Sequence, residues 1–135
     1  MAVTAYIEKI KTLVAYFRTR LETSGSWHTV CLSSADRKNI GDVCQDTPLP
    51  FTVIWLGPSD YQNHPRHTVV IAVIVCVDAY AADADAKLSD LSDEAVGLLD
   101  GQTVNDAEIR LAGGEPLDLD IQWRARLLKF RIYDH

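Results

Sequence analysis

The chain has 135 residues, a net charge of −6 at pH 7, and ordinary hydrophobic and charged fractions of 47% and 24%. These values predict one folded domain over residues 1–135, and they argue against a disordered chain or a fibrous repeat. The negative charge argues against sequence-independent binding to nucleic acid, because cations that neutralise phosphates drive such binding.

The acidic residues are concentrated in the second half of the chain. Residues 1–67 carry seven Lys/Arg and six Asp/Glu, whereas residues 68–135 carry six and thirteen. We therefore expect one side of the fold to be acidic. The odd cysteine count indicates a reducing cytoplasm, and no signal sequence or apolar run of about 18 residues predicts export or a membrane span.

The first predicted element is an amphipathic α-helix from Thr4 to Glu22. Thr4 is the expected N-cap and Ser24-Gly25 the expected C-terminal stop. Apolar residues recur at steps of three and four, as on one stripe of a helix. They are Ile7, Ile10, Leu13, Val14, Phe17 and Leu21.

Short strands are predicted at Trp27–Leu32 and Phe51–Leu56, on either side of a polar segment from Ser33 to Pro50. Loops longer than about 15 residues are uncommon in compact domains unless they serve binding or assembly. Two interpretations of this segment remain open, an interaction loop and a mobile insertion.

The most apolar segment, Thr68–Val77, is predicted to be a strand that is buried on both faces. Two helices and a small sheet have difficulty covering both faces of such a strand along its whole length. We therefore expect a neighbouring subunit to cover part of it.

A second helix is predicted from about Ala81 to Asp100, with Gly101 as its stop. A strand follows at Ala107–Ala112, and Gly113-Gly114 is predicted to end it. The acids Asp83 and Asp85, at the start of the helix, suit its dipole better than they suit a calcium loop.

The last predicted strand runs within Asp118–Tyr133. Its apolar residues change parity, which predicts a β-bulge near Leu127-Leu128. The order of elements predicts an α+β domain, with a mainly antiparallel sheet of four to five strands packed with two α-helices.

No motif in the chain predicts catalysis or a cofactor. Gly113-Gly114 lacks the lysine and the glycine spacing of phosphate loops, and the acids Glu115, Asp118 and Asp120 are expected to be exposed. The possible zinc ligands lack the spacing of a zinc site, so we predict no metal and no enzyme activity. They are His28, Cys31, Cys44, His64 and His67.

The order of segments resembles that of the tail terminator, or tail completion, proteins of long-tailed bacteriophages, in particular a Mu-type minor structural family. The resemblance covers most of the chain. It is carried by the N-terminal helix, Pro48–Gly57, the strand within Arg66–Val77, an acidic helix and the terminal segment Ala125–Tyr133.

The resemblance implies a hexameric ring, assembled in the host cytoplasm, that caps the tail tube in the virion and offers a surface to the sheath and the head-side connector. DNA would pass through without specific binding, and an acidic lumen would repel it. The sheet and first helix would make the subunit contacts, whereas Ser33–Pro50 and the Gly113–Asp118 loop would reach the tube, sheath or connector.

Exposed charged residues are the candidate interface. They are Arg18, Arg37, Lys38, Asp42, Asp46, Glu115, Asp118, Arg124, Arg126 and Arg131. Two alternatives remain, a neck or head-completion subunit of a phage or contractile injection particle, and a small ligand-binding α+β domain with a pocket between helices and sheet.

Overall fold

A computed structural model describes residues 2–32, 46–56, 69–117 and 122–134. Two helices and six strands make up these residues, and the predicted α+β class is confirmed. In chain order the elements are α1 Ala2–Thr23, β1 His28–Leu32, β2 Phe51–Leu56, β3 Val69–Asp78, α2 Ala84–Leu99, β4 Thr103–Val104, β5 Ala107–Leu117 and β6 Trp123–Asp134.

The strands form one sheet in the order β1-β2-β3-β6-β5-β4. Strand β1 pairs with β2 in parallel, and every other pair is antiparallel. The sheet has six strands, and the sequence predicted four to five. The additional strand, β4, has only two residues, which is too short for an alternating pattern to reveal.

Both helices pack on one face of the sheet and form the helix-side core with it. From α1 this core takes Leu13, Phe17 and Leu21, which belong to the predicted apolar stripe. The ring of Phe17 meets that of Phe130 on β6 edge to face, with their centroids 5.7 Å apart. The periodicity of α1 is thus explained by its contact with the sheet.

The opposite face of the sheet carries a second core. Strand β3 serves both cores, because Ile71, Val73 and Val75 face the helices and Ile74 and Cys76 face the other way. The second core consists of Phe51, Val53, Trp55, Ala72, Ile74, Cys76, Ala125 and Leu127.

Burial of β3 on both faces is confirmed, and it is achieved within one chain. Residues 71–77 are all at most 2% exposed without any neighbouring subunit. The strand therefore does not require a second subunit to cover it, and the expectation of assembly has to rest on other features.

The helix ends differ from the prediction at one point. Helix α1 begins at Ala2, so Thr4 lies inside its first turn and is not the N-cap. The expected stop is confirmed, because Gly25 has φ +69°, which is typical of a residue that ends a helix.

Two predictions for the last strands are wrong. Gly113-Gly114 does not end β5, which continues to Leu117 and pairs these glycines with β6. The register between β3 and β6 is unbroken, so Leu127-Leu128 is not a bulge. The irregularity lies opposite, on β5 between Leu111 and Gly113.

Candidate functional site

A cleft of about 760 Å³ lies between the first half of α2 and the adjoining ends of β5 and β6. Helix α2 supplies Asp85, Leu88 and Ser89, and β5 supplies its last two residues, Pro116 and Leu117. The cleft size falls within the range of ligand and peptide sites.

Two arginines enter the cleft from β6. Arg124 and Arg126 alternate with Trp123 and Ala125, so their side chains leave the strand on the side of α2. Arg124 Nε lies 3.7 Å from Asp85 Oδ1, and both side chains are largely exposed, which makes this a weak pair. Arg126 is half-buried and forms no salt bridge with any residue that the structure describes.

A tight turn after β3 positions Tyr80 at the cleft. Its backbone N–H donates to Asp78 Oδ1 at 2.9 Å, and the N–H of Ala79 donates to the carbonyl of Gln122 at 2.9 Å. These bonds tie the turn to the start of β6. The Tyr80 side chain is 74% exposed, which is unusual for a large apolar ring in a connection that is otherwise well bonded.

Apolar side chains form the rest of the lining. Trp123 is half-buried, and its ring packs edge to face on Phe51 of the second core at 5.1 Å. Leu88 and Leu117 pack against the helix-side core and the second core, respectively. On the helix side, the cleft therefore combines the two arginines with Leu88 and Pro116, whereas the Trp123 and Leu117 side chains face the second core.

Of the predicted interface residues that the structure describes, only Arg124 and Arg126 meet in one site. Arg18 pairs with Glu22 at 2.9 Å on α1, and Glu115 lies on β5, 3.6 Å from Lys129. Two further candidates stand apart, Asp46 before β2 and Arg131 on β6. The remaining candidates, Arg37, Lys38, Asp42 and Asp118, lie outside the described residues.

The predicted interaction segments have mixed outcomes. Most of Ser33–Pro50 lies outside the described residues, as do five of the possible zinc-site and acidic residues, Cys44, His64, His67, Asp118 and Asp120. The prediction of a loop at Gly113–Asp118 is wrong for residues 113–117, because these residues belong to β5.

Sequence reasoning missed Tyr80, Leu88 and Ser89 as members of the site. Leu88 carried an apolar signal that fitted a core position equally well, and Ser89 and Tyr80 carried no signal.

Charge is separated between helix α2 and the last two strands. Exposed acids on α2 include Asp90 and Asp93, and neither forms a salt bridge with a residue in the described part of the chain. On β6, Lys129 and Arg131 are exposed and share one face of the strand. We call Asp90 and Asp93 the acidic patch, and Lys129 and Arg131 the basic patch.

The neighbouring arginine on β5, Arg110, already has an acidic partner. Arg110 Nε donates to Glu108 Oε1 at 2.8 Å and a second guanidinium nitrogen donates to Oε2 at 3.2 Å. These hydrogen bonds, together with the charge of Glu108, raise the pKa of Arg110 above its ordinary value. Arg110 is thus paired within its own strand, unlike Arg131.

None of the helices described is long and apolar enough to cross a membrane. No group of three or more His, Cys, Asp or Glu side chains that could hold a metal ion occurs within residues 2–32, 46–56, 69–117 and 122–134.

A comparison with models of protein families found no match, and a comparison with curated proteins found none either.

Proposed function

We propose that the chain is a ring-forming structural subunit of the tail-terminator type. The observation that carries the proposal is the pair of complementary patches on different elements, with acids on α2 and bases on β6. Opposite charges across an interface favour the correct partner and orientation.

Two different patches on one chain suit a head-to-tail contact. Such a contact joins the acidic patch of one subunit to the basic patch of the next, and it closes into a ring when the rotation per subunit allows. Asp93 and Arg131 are both exposed and without a salt bridge among the described residues, so each is open to a partner.

In this proposal the ring caps the phage tail tube, ends its polymerisation and joins it to the head-side connector in the virion. The net charge of −6 suits a channel that DNA crosses without binding. A hexamer is the ring size implied by the resemblance to tail terminators.

The direct test is the mass of the purified protein in native buffer, combined with electron microscopy of the protein mixed with tail tubes. We expect one closed oligomer and rings seated at tube ends. A strict monomer at assembly concentrations, also in the presence of tubes, would contradict the proposal.

Charge reversal tests the contact itself. We expect Asp93→Lys to weaken the oligomer and the double variant Asp93→Lys/Arg131→Glu to recover part of the loss, because the reversed pair is again complementary. Asp106→Lys makes the same charge change in the exposed turn between β4 and β5, outside both patches, and should leave the mass unchanged. Equal effects of Asp93→Lys and Asp106→Lys would exclude this contact.

The cleft favours a second candidate, a small ligand-binding α+β domain. Its arginines and apolar lining are the mixture typical of ligand sites. This candidate predicts that one class of small organic anion raises the melting temperature of a monomer, since a ligand that binds only the folded state stabilises it. No shift across a panel of organic anions would reject it.

A further inference from the structure

We propose that the cleft between α2 and the ends of β5 and β6 is a docking site for a short acidic peptide segment of a partner protein. Arg126 and Arg124 would hold its carboxylates, and its aliphatic side chains would lie against Leu88 and Pro116. This inference is independent of the ring, because the peptide would contact neither the acidic nor the basic patch.

The first argument is the state of the two arginines. Arg126 is half-buried in the cleft without a salt bridge to any described residue, and a partly desolvated cation gains from an anionic partner. Among the described residues, the salt bridge of Arg124 is the 3.7 Å contact with the exposed Asp85, which an incoming carboxylate can replace. Arginine binds carboxylates through two parallel hydrogen bonds, so these side chains suit Asp or Glu.

The second argument is the shape of the cleft. Small-molecule pockets usually bury most of the ligand surface, whereas the rim here is formed by Tyr80, 74% exposed, and Arg124, with 58% of its side chain exposed. An open groove of this kind suits an extended segment that enters and leaves it. Exposed tyrosine is also enriched at protein interfaces.

The third argument is the charge of the helix that borders the cleft. Asp85 lines the cleft, and Asp90 and Asp93 are exposed further along α2. A long polyanion such as nucleic acid would meet repulsion outside the cleft. One or two carboxylates, spaced by apolar residues, match the local charge and the lining.

The test uses the full chain and a fluorescently labelled hexapeptide of alternating glutamate and leucine, with binding followed by anisotropy. Matched peptides replace each glutamate by glutamine or by lysine. We expect saturable binding of the acidic peptide alone. Arg126→Gln should weaken it about tenfold or more, the usual effect of losing a charge-assisted hydrogen bond, and Arg124→Gln severalfold.

Arg110→Gln is the matched control, because it removes one arginine from the neighbouring strand, outside the cleft lining, and should change the affinity less than about twofold. Circular dichroism verifies that each variant is folded. The proposal is overturned if the acidic peptide does not bind, if Arg110→Gln weakens binding as much as Arg126→Gln, or if inorganic phosphate at equal concentration displaces the peptide. The last result would assign a simple anion site.

Discussion

Two glycines at the end of α2 differ in the backbone conformation that they adopt, although they lie four residues apart. Gly101 follows the helix with φ +81°, a conformation that L-residues adopt at a cost, whereas Gly97 lies within the helix. A Cβ added at either position meets nothing within 4 Å, so the backbone alone decides the effect. The same substitution should therefore have opposite signs at the two sites.

We expect Gly101→Ala to lower the free energy of unfolding by about 1 kcal/mol, because alanine is strained at positive φ. Gly97→Ala should raise it by about 0.5–1 kcal/mol, since alanine is the better helix former. Urea denaturation followed by circular dichroism measures both. A loss of stability in both variants would show that backbone conformation alone does not decide the effect of alanine at these two positions.

At the level of elements, the helices and the central strands were predictable because their apolar residues recur with the helical period or form an unbroken run. The stripe of α1 and the apolar run of β3 match their observed positions within a few residues. Strand β5 was cut short because Gly113-Gly114 is a typical turn signal. Pairing with β6 keeps these glycines in the sheet, and such long-range pairing leaves no trace in a local pattern.

The parity change in the last strand was observed correctly and interpreted wrongly. A bulge is one way to move apolar residues from odd to even positions. In the structure β6 stays regular and serves two cores in turn, with Ala125 and Leu127 in the second core and Phe130 and Ile132 in the helix-side core. The apolar pattern of β6 alone does not reveal that its two halves pack in different cores.

The cleft was only partly predictable for a related reason. Arg124 and Arg126 were identifiable as charged residues at alternate positions of a strand, which places them on one face. Their proximity to Tyr80 and Leu88 depends on how the connection after β3 folds against β6. Such contacts between distant segments follow from tertiary structure and not from spacing along the chain.

At the scale of the whole molecule, β3 joins the two cores into one cooperative unit. Ile71 lies in the helix-side core and Ile74 in the second core, and both are fully buried on the same strand. Loss of either core removes half of the burial of β3, and with it the pairing on both sides. The domain should therefore unfold in one two-state transition.

We expect Ile71→Ala and Ile74→Ala each to cost about 2–5 kcal/mol, the usual range for this change in a core, and each to shift the whole transition. Circular dichroism at 222 nm follows the helices, which contact only the helix-side core, and tryptophan fluorescence includes Trp55 and Trp123 at the second core. Coincident denaturation curves in both variants support one unit. If Ile74→Ala shifted the fluorescence curve alone, the second core would unfold separately, and β3 would not couple the two faces of the sheet.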